Sequence, residues 1–233
     1  MVWRYMDLMK FMNILQSGTL YFRRADKLGD PFEGSYSSPT LQELKTFLID
    51  LHTDTEIFLH EFLKERADFA KKIRTCTAIN CWHMNKAESI AMWQLYKADY
   101  GITIQSTFTR LKSSFHNTKE AIFIGKVTYI DYKRDVMTDD ETLSPFLYKR
   151  KNYAHEREVR AVLLRPPVYG SKVVRSTIDH GVNVDVDLNM LIENVYVAPN
   201  TEEWAIKTVQ SLVEHYGYKW KVMPSQIDMK PLW

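Results

Sequence analysis

Strand-forming and helix-forming segments follow one another in this chain without a regular strand–helix–strand rhythm. Residues 2–5 are β-type, residues 8–17 place apolar side chains at helical spacing, and residues 19–22 are β-type again. Asp7 is a suitable N-cap for this first helix, and Gly18 is a suitable C-cap. Further strands are predicted at residues 79–84, 101–105, 121–132, 158–164, 182–186 and 195–198, and near Trp220. This order predicts the α+β class, with a mixed, largely antiparallel and twisted sheet.

A helical insertion is predicted between the first strands and the rest of the chain. Residues 40–74 have helical character, and Thr-x-x-Glu capping boxes begin at Thr40 and Thr53. We therefore predict two helices that form a hairpin. Its inward-facing side chains are predicted to be Phe58, Phe62, Phe69 and Ile73. Two later helices are predicted, one through Tyr96 with Asn85 as its cap and one at residues 200–216.

Length and charge limit the class of protein. The chain has 233 residues, and its 31 basic and 29 acidic side chains give a formal net charge of +2. This near balance, with 45% hydrophobic residues, excludes intrinsic disorder and a basic surface that coats nucleic acid. Because roughly 70–75% of the unfolded surface is buried in a chain of this size, we predict a single domain spanning residues 1–233. With two cysteines and no long apolar run, we expect a cytoplasmic protein.

Common cofactor and nucleophile motifs are absent from the sequence. The glycines form no G-x-G-x-x-G fingerprint, and the spacing of Gly29 and Gly34 resembles a phosphate-binding loop that lacks its lysine. Neither a G-x-S-x-G nor an H-E-x-x-H motif occurs. Cys76, Cys81 and His83 supply three metal donors without a clear fourth, so no metal is expected.

An acidic tract at residues 153–162 is the most informative candidate for chemistry. If it enters a strand, the two-residue period places Glu156, Glu158 and Arg160 on one face. Two carboxylates held close together raise each other's pKa, an arrangement typical of carboxylates that do chemistry. The alternative is a surface ladder of ions, in which these carboxylates pair with Arg160 and the basic residues 149–151.

Two further polar features lie within apolar surroundings. Arg4 stands between Trp3 and Tyr5 in the first predicted strand, where a buried guanidinium needs a carboxylate or a phosphate partner. Ser106 and Thr107 offer hydroxyls at the end of the strand at residues 101–105, and a plain helix cap is the alternative.

An aromatic group follows the strand at residues 79–84. It consists of Trp82, Trp93 and Tyr96, with Met92 beside them at helical spacing. Core packing explains most of this pattern.

The sequence resembles an uncharacterised bacterial family of domains of unknown function. The resemblance rests on Tyr5 and its neighbours, the Leu-Gly-Asp-Pro-Phe-Glu loop at residues 28–33, the segment from Cys81 to Tyr96, and the Glu-x-Glu-x-Arg motif at residues 156–160. It covers most of the chain and implies no established activity.

A second resemblance, to ADP-ribosyltransferases, implies chemistry. These enzymes carry an Arg or His on the first strand, a Ser-Thr on a later one and a Glu-x-Glu on a third. Arg4, Ser106-Thr107 and Glu156-x-Glu158 occur here in that order, although Phe108 replaces the hydroxyl that normally follows the threonine. The resemblance implies an ADP-ribosyltransferase-like sheet and NAD as the substrate.

The same resemblance implies roles for individual residues. Glu158 would stabilise the oxocarbenium-like transition state, and Glu156 would orient or deprotonate the acceptor. Arg4 would hold the ribose or pyrophosphate. The residues expected to contact NAD are Arg4, Tyr5, Ser106, Thr107, Trp82, Trp93 and Tyr96. The acceptor would be protein, RNA, DNA or water, in a bacterial or phage protein with a toxin or phage-defence setting.

Two other functions remain open. Asp131 and Lys133 match the D-x-K signature of metal-dependent nucleases, in which Asp30 or Glu33 would share Mg²⁺ with Asp131. The near-neutral charge also fits a non-enzymatic binding protein with a cognate partner protein.

Overall fold

A computed structural model describes residues 1–50, 56–96, 100–138, 142–165 and 178–229. The strands are β1 (Val2–Asp7), β2 (Thr19–Arg24), β3 (Thr77–Met84), β4 (Gly101–Ser106), β5 (Ile122–Lys126), β6 (Thr128–Ile130), β7 (Tyr148–Arg150), β8 (Glu158–Leu164), β9 (Gly181–Asp185), β10 (Asn194–Val197) and β11 (Val222–Met223). The α-helices are α1 (Leu8–Ser17), α2 (Ser38–Asp50), α3 (Glu56–Cys76), α4 (Ile90–Leu95), α5 (Phe108–Ser113), α6 (Leu188–Leu191) and α7 (Glu203–His215). No helix among these described residues is both long and apolar enough to cross a membrane.

The described residues form one nine-stranded sheet and a small second sheet. The main path of the large sheet runs β11-β10-β4-β1-β3-β2-β9, with β8 pairing with β3 and β5 pairing with β8. All its strand pairs are antiparallel except β10 with β11. The predicted α+β class, with a mixed and largely antiparallel sheet, is confirmed.

The opening strand, helix and strand form as predicted. The Asp7 carboxylate accepts a hydrogen bond from the Lys10 backbone N–H at 2.8 Å, which caps α1. Gly18 ends the helix in the left-handed region, with φ of 64°, and its N–H donates to the Ile14 carbonyl. These local contacts turn the chain sharply enough for β1 and β2 to approach the same neighbour, β3.

The pairing of β3 leaves an opening in the sheet. One edge of β3 pairs with β8 along its whole length. Along its other edge, β1 pairs only near Met84 and β2 only near Ala78. Residues 80–82 therefore have no strand partner on that edge among the described residues. The two strands that share this edge diverge, and a cavity forms between them.

Apolar side chains cover both faces of the sheet. On one face, Val2 and Met6 of β1 pack with α1 and with Val213 of α7. On the other face, Trp3 and Tyr5 of β1 pack against Met92, Trp93 and Tyr196. This alternation is the two-residue period of a strand that is buried on both sides.

Some predicted boundaries are wrong. The strand predicted at residues 121–132 is split into β5 and β6, and β6 pairs in parallel with β7 in the second sheet. Between them, the Val127 N–H donates to the Glu158 carbonyl at 2.9 Å, so the chain leaves the large sheet at this point. The helix predicted to be capped by Asn85 begins instead after Ser89, whose hydroxyl accepts from the Met92 N–H.

The helical hairpin is present, with different details. Helix α2 starts at Ser38 rather than at Thr40, whose hydroxyl accepts a hydrogen bond from the Met137 N–H at 2.8 Å. Ile73 is buried as predicted, whereas Phe69 is 53% exposed because it faces away from the sheet. Phe62 is half-buried. Thr53 and the side chain of Phe58 lie outside the described residues.

Candidate functional site

The opening in the sheet contains a cavity of about 670 Å³. It is lined by residues of β1, α1, β2, β3 and α4, and by the start of β8. Arg4, Glu156 and Glu158 all line it, as do Tyr5, Trp82 and Tyr96. Residues from both ends of the sequence and from its centre thus meet at one concave site, of a size typical of small-molecule pockets.

Arg4 is a cation without an ionic partner in this cavity. Its Nη1 donates to the Cys81 carbonyl at 2.8 Å, across the edge of β3 that β1 and β2 leave uncovered. Its Nε is buried without a hydrogen-bond partner, and among the described residues no carboxylate lies within 4 Å of it. Burial lowers the pKa of Arg4, which remains protonated at neutral pH because its usual value is so high. An anion is the chemical group that this site lacks.

The carboxylate of Glu158 is held by two cations. Its Oε1 accepts from Lys149 Nζ at 2.6 Å, and its Oε2 accepts from Arg160 Nε at 2.6 Å. Lys149 Nζ also donates to Glu156. Arg160, which is fully buried, donates from both terminal nitrogens to Glu33 at 2.7 and 2.8 Å. The alternative of ions that pair with one another is therefore correct for these groups, but the cluster is buried rather than a surface ladder.

The two cavity carboxylates have opposite pKa shifts. Burial opposes the ionisation of Glu158, yet the charges of Arg160 and Lys149 outweigh it and hold its pKa well below the usual range. Burial and the adjacent Glu158 raise the pKa of Glu156 to about 7, against the effect of Lys149. Glu158 is therefore a permanent anion, whereas Glu156 can take up or release a proton near neutral pH.

His83 is a further polar group of the cavity. Its Nδ1 lies 2.7 Å from the Glu156 carbonyl oxygen, to which it donates, and its Nε2 is buried without a partner among the described residues. Burial lowers the pKa of His83. The ring is therefore neutral at pH 7, with an unused acceptor at Nε2.

Aromatic rings form one wall of the cavity. The Tyr5 and Tyr96 rings lie 6.5 Å apart and nearly parallel, at an angle of 19°. Trp82 is fixed by a hydrogen bond from its Nε1 to the Asn80 amide oxygen at 2.7 Å. Trp93 does not line the cavity; it packs edge-on against Tyr5 at 5.0 Å and donates to Glu88. Its prediction as a stacking residue is therefore wrong, and the core-packing alternative applies to it.

Ser106 and Thr107 lie outside the cavity. The buried Ser106 hydroxyl donates to the Leu191 carbonyl, and the Thr107 hydroxyl caps α5 by accepting from the Arg110 N–H at 3.1 Å. The helix-cap alternative is therefore correct for Thr107. The expected contact of both residues with NAD at this site is wrong, because their hydroxyls serve internal hydrogen bonds.

The carboxylates required for the nuclease alternative are bound to arginines. Asp30 accepts from Arg150 at 2.9 Å, and Glu33 is bound by Arg160. In the part of the chain that the structure describes, no three His, Cys, Asp or Glu residues are grouped so as to hold a metal ion.

Three functional residues were not singled out as such from the sequence. Lys149 was assigned only to a surface ladder, Glu33 only to a nuclease alternative, and His83 only to a rejected metal set. Glu33 lies 127 positions from Arg160, and no local spacing relates the two. The only available signal was the position of Glu33 in a loop rich in glycine and proline, which is typical of an ordered turn.

Comparison of the chain with protein-family models, with curated proteins and with solved structures gives no significant match.

Proposed function

We propose that this protein is a NAD-utilising enzyme of the ADP-ribosyltransferase-like type, which transfers ADP-ribose to a protein or nucleic acid or hydrolyses NAD. The observation that carries the proposal is that Arg4, Glu156 and Glu158 line one cavity in the opening between β1 and β2. An unpaired cation suits the pyrophosphate of a dinucleotide, and a fixed anion suits a glycosidic bond that breaks with positive charge on the ribose.

The charges of the carboxylates fit the two steps of such a reaction. The C1′–N bond of NAD breaks, its electron pair moves to the nicotinamide nitrogen, and neutral nicotinamide leaves. The ionised Glu158 stabilises the oxocarbenium character that develops at C1′. The oxygen of water or of an acceptor then attacks C1′, and Glu156 takes the proton that this oxygen loses.

The remaining groups of the cavity have supporting roles in this proposal. Tyr5, Trp82 and Tyr96 provide ring faces for the nicotinamide or the adenine. His83, neutral and with Nε2 unused, accepts a hydrogen bond from an amide or hydroxyl of the substrate. No metal is required for this chemistry.

A binding protein without catalytic activity is the second candidate. Both oxygens of Glu158 are engaged by cations, at 2.6 Å each, and a carboxylate satisfied in this way is typical of a structural ion pair. In this case the cavity would bind an anionic ligand through Arg4 and leave it unchanged.

The test measures NAD binding by calorimetry and nicotinamide release by chromatography, with a chelator present. We expect the wild-type protein to bind NAD and to release nicotinamide. Glu158→Gln should retain binding and lose about 100-fold or more of the release rate, as when a transition-state charge partner is removed. Because this variant disturbs a buried ion cluster, Glu156→Gln serves as a second variant at a more accessible carboxylate.

Glu120→Gln is the matched control. It also removes one carboxylate from an ion pair, with Arg165, and it lies outside the cavity lining. Its binding and release rates should equal those of the wild type. Binding without release would favour the second candidate, and absence of NAD binding by the wild type would overturn the first.

A further inference from the structure

A second cavity lies between the two helices of the hairpin and the segment that leads into them. It has a volume of about 520 Å³, and residues 34–36 together with α2 and α3 form its walls. We propose that this groove binds a single strand of nucleic acid through its phosphates. The proposal does not depend on NAD chemistry in the first cavity.

The charge of the groove has one sign. Its walls contain Lys45, Arg66, Lys71 and Arg74, and no Asp or Glu is among the described lining residues. Of these four cations, only Lys71 forms an ion pair, with the exposed Asp68 at 3.1 Å. Like charges gathered in one groove repel one another, and an anionic ligand removes this cost.

Two of the arginines have unused donors within the structure. The Nε atoms of Arg66 and Arg74 are both buried and have no hydrogen-bond partner among the described residues. A buried N–H without a partner costs about 1–3 kcal/mol, so its position calls for an acceptor. The guanidinium group, with its fork of N–H donors, matches the geometry of phosphate oxygens.

The spacing of the cations indicates more than one phosphate. Arg66 and Arg74 lie eight positions apart on α3, which is roughly 12 Å along the axis at 1.5 Å per residue. Phosphates along a nucleic-acid strand recur every few ångströms, so a span of roughly 12 Å covers several of them. A single phosphate group cannot satisfy both arginines.

The apolar part of the groove suits bases rather than a simple polyanion. The ring of Tyr36 lies 4.9 Å from the Arg66 guanidinium carbon, and Leu41, Leu63 and Ala67 complete the wall. Grooves that bind single strands combine cations for the backbone with aromatic faces for the bases. The total charge of the chain hides this feature because acidic residues elsewhere balance it.

The groove is connected to the first cavity through one short segment. Glu33 binds Arg160, which binds Glu158 of the first cavity, and Gly34 and Ser35 line the groove. A strand bound in the groove would therefore lie next to the loop that supports the acidic cluster.

The test uses fluorescence anisotropy with single-stranded RNA and DNA of mixed sequence and about 12 nucleotides, titrated at several salt concentrations. The wild type should bind, with an affinity that falls as salt rises. Arg66→Gln combined with Arg74→Gln should weaken binding at least ~10-fold and reduce the salt slope by about 2, one for each lost phosphate contact. Lys45→Gln should act in the same direction by about half as much on a logarithmic scale.

Lys72→Gln is the matched control, since it removes one positive charge from the opposite face of the same helix. It should change the affinity less than ~2-fold, and circular dichroism should give all variants the same helix content. Three outcomes would overturn the proposal: no binding by the wild type, equal loss in the control, or displacement of the strand by an equal concentration of ADP, which would assign the groove to a free nucleotide.

Discussion

Arg4 donates a hydrogen bond from Nη1 to the carbonyl oxygen of Cys81 at 2.8 Å, across the edge of β3 that neither β1 nor β2 covers. One end of the guanidinium is thereby fixed to the sheet, while its charge has no ionic partner among the described residues. The first prediction follows from this arrangement.

Arg4→Gln should weaken NAD binding about 10- to 100-fold, the effect of losing a charge-assisted hydrogen bond worth about 1.5–3 kcal/mol. Glutamine can still donate to the Cys81 carbonyl, so the melting temperature should change little. Calorimetry and thermal unfolding measure the two effects. Equal losses of affinity and stability would mean that Arg4 is structural, and Lys207→Gln on α7 is the control for a lost surface charge.

Glu33→Gln should destabilise the protein by about 3–5 kcal/mol, because it leaves the buried Arg160 without its two-oxygen partner. Urea denaturation measures the change in the free energy of unfolding. Glu203→Gln breaks the exposed pair with Lys207 and should cost less than about 1 kcal/mol. A small effect at Glu33 would contradict the buried ion pair.

Glu156 should make stability depend on pH. Its pKa of about 7 in the folded protein lies above its usual 4.5, so the native state holds the proton more tightly. The stabilisation is complete below about pH 4.5 and is lost as the pH rises through about 7. Relative to Glu156→Gln, the wild type should lose ~3 kcal/mol of unfolding free energy over this window, at about 1.4 kcal/mol per pKa unit.

The measurement is urea denaturation of both proteins at a series of pH values. Parallel curves would show that Glu156 titrates at its ordinary value. In the proposed reaction Glu156 acts as the base, so the rate of nicotinamide release should rise with pH through about 7.

Gly34→Ala should destabilise the loop between the two cavities. Gly34 has φ of 70°, and a Cβ atom there would meet the Phe146 ring. The strained backbone costs about 1 kcal/mol, and displacement of the buried ring adds to it. Gly29→Ala, in the same loop with open space around it and no positive φ, is the control and should be neutral in thermal unfolding. Equal melting temperatures for the two variants would contradict the close approach.

Cys81 should react slowly with alkylating agents. Burial, together with the charge of Glu158, raises the pKa of the Cys81 thiol well above its usual range, and the thiolate is the reactive form. In a Cys76→Ser background at pH 8, we expect alkylation at least ~10-fold slower than in the urea-unfolded chain. Mass spectrometry over time measures the rates; equal rates in the two states would refute a protected thiol.

Local sequence signals predicted the first part of the fold well. The Asp7 cap, the apolar spacing of α1 and the Gly18 cap act within a few residues of one another, so the chain encodes them without distant partners. The boundaries of α2 and α4 were less predictable, because Thr40 and Asn85 match capping patterns that Ser37 and Ser89 fulfil instead. Where several polar residues compete for one helix end, the backbone geometry selects among them.

The sequence by itself determined the α+β class, the opening strand–helix–strand unit, and the placement of Glu158 and Arg160 on one strand face, because each depends on the period or the capping of a single segment. Tertiary structure alone decided that β1 and β2 share one edge of β3 and leave an opening between them. It also brought Glu33 to Arg160 and removed Ser106 from the cavity. Strand pairing and buried ion pairs join residues far apart in the chain, and no local spacing specifies which of them will meet.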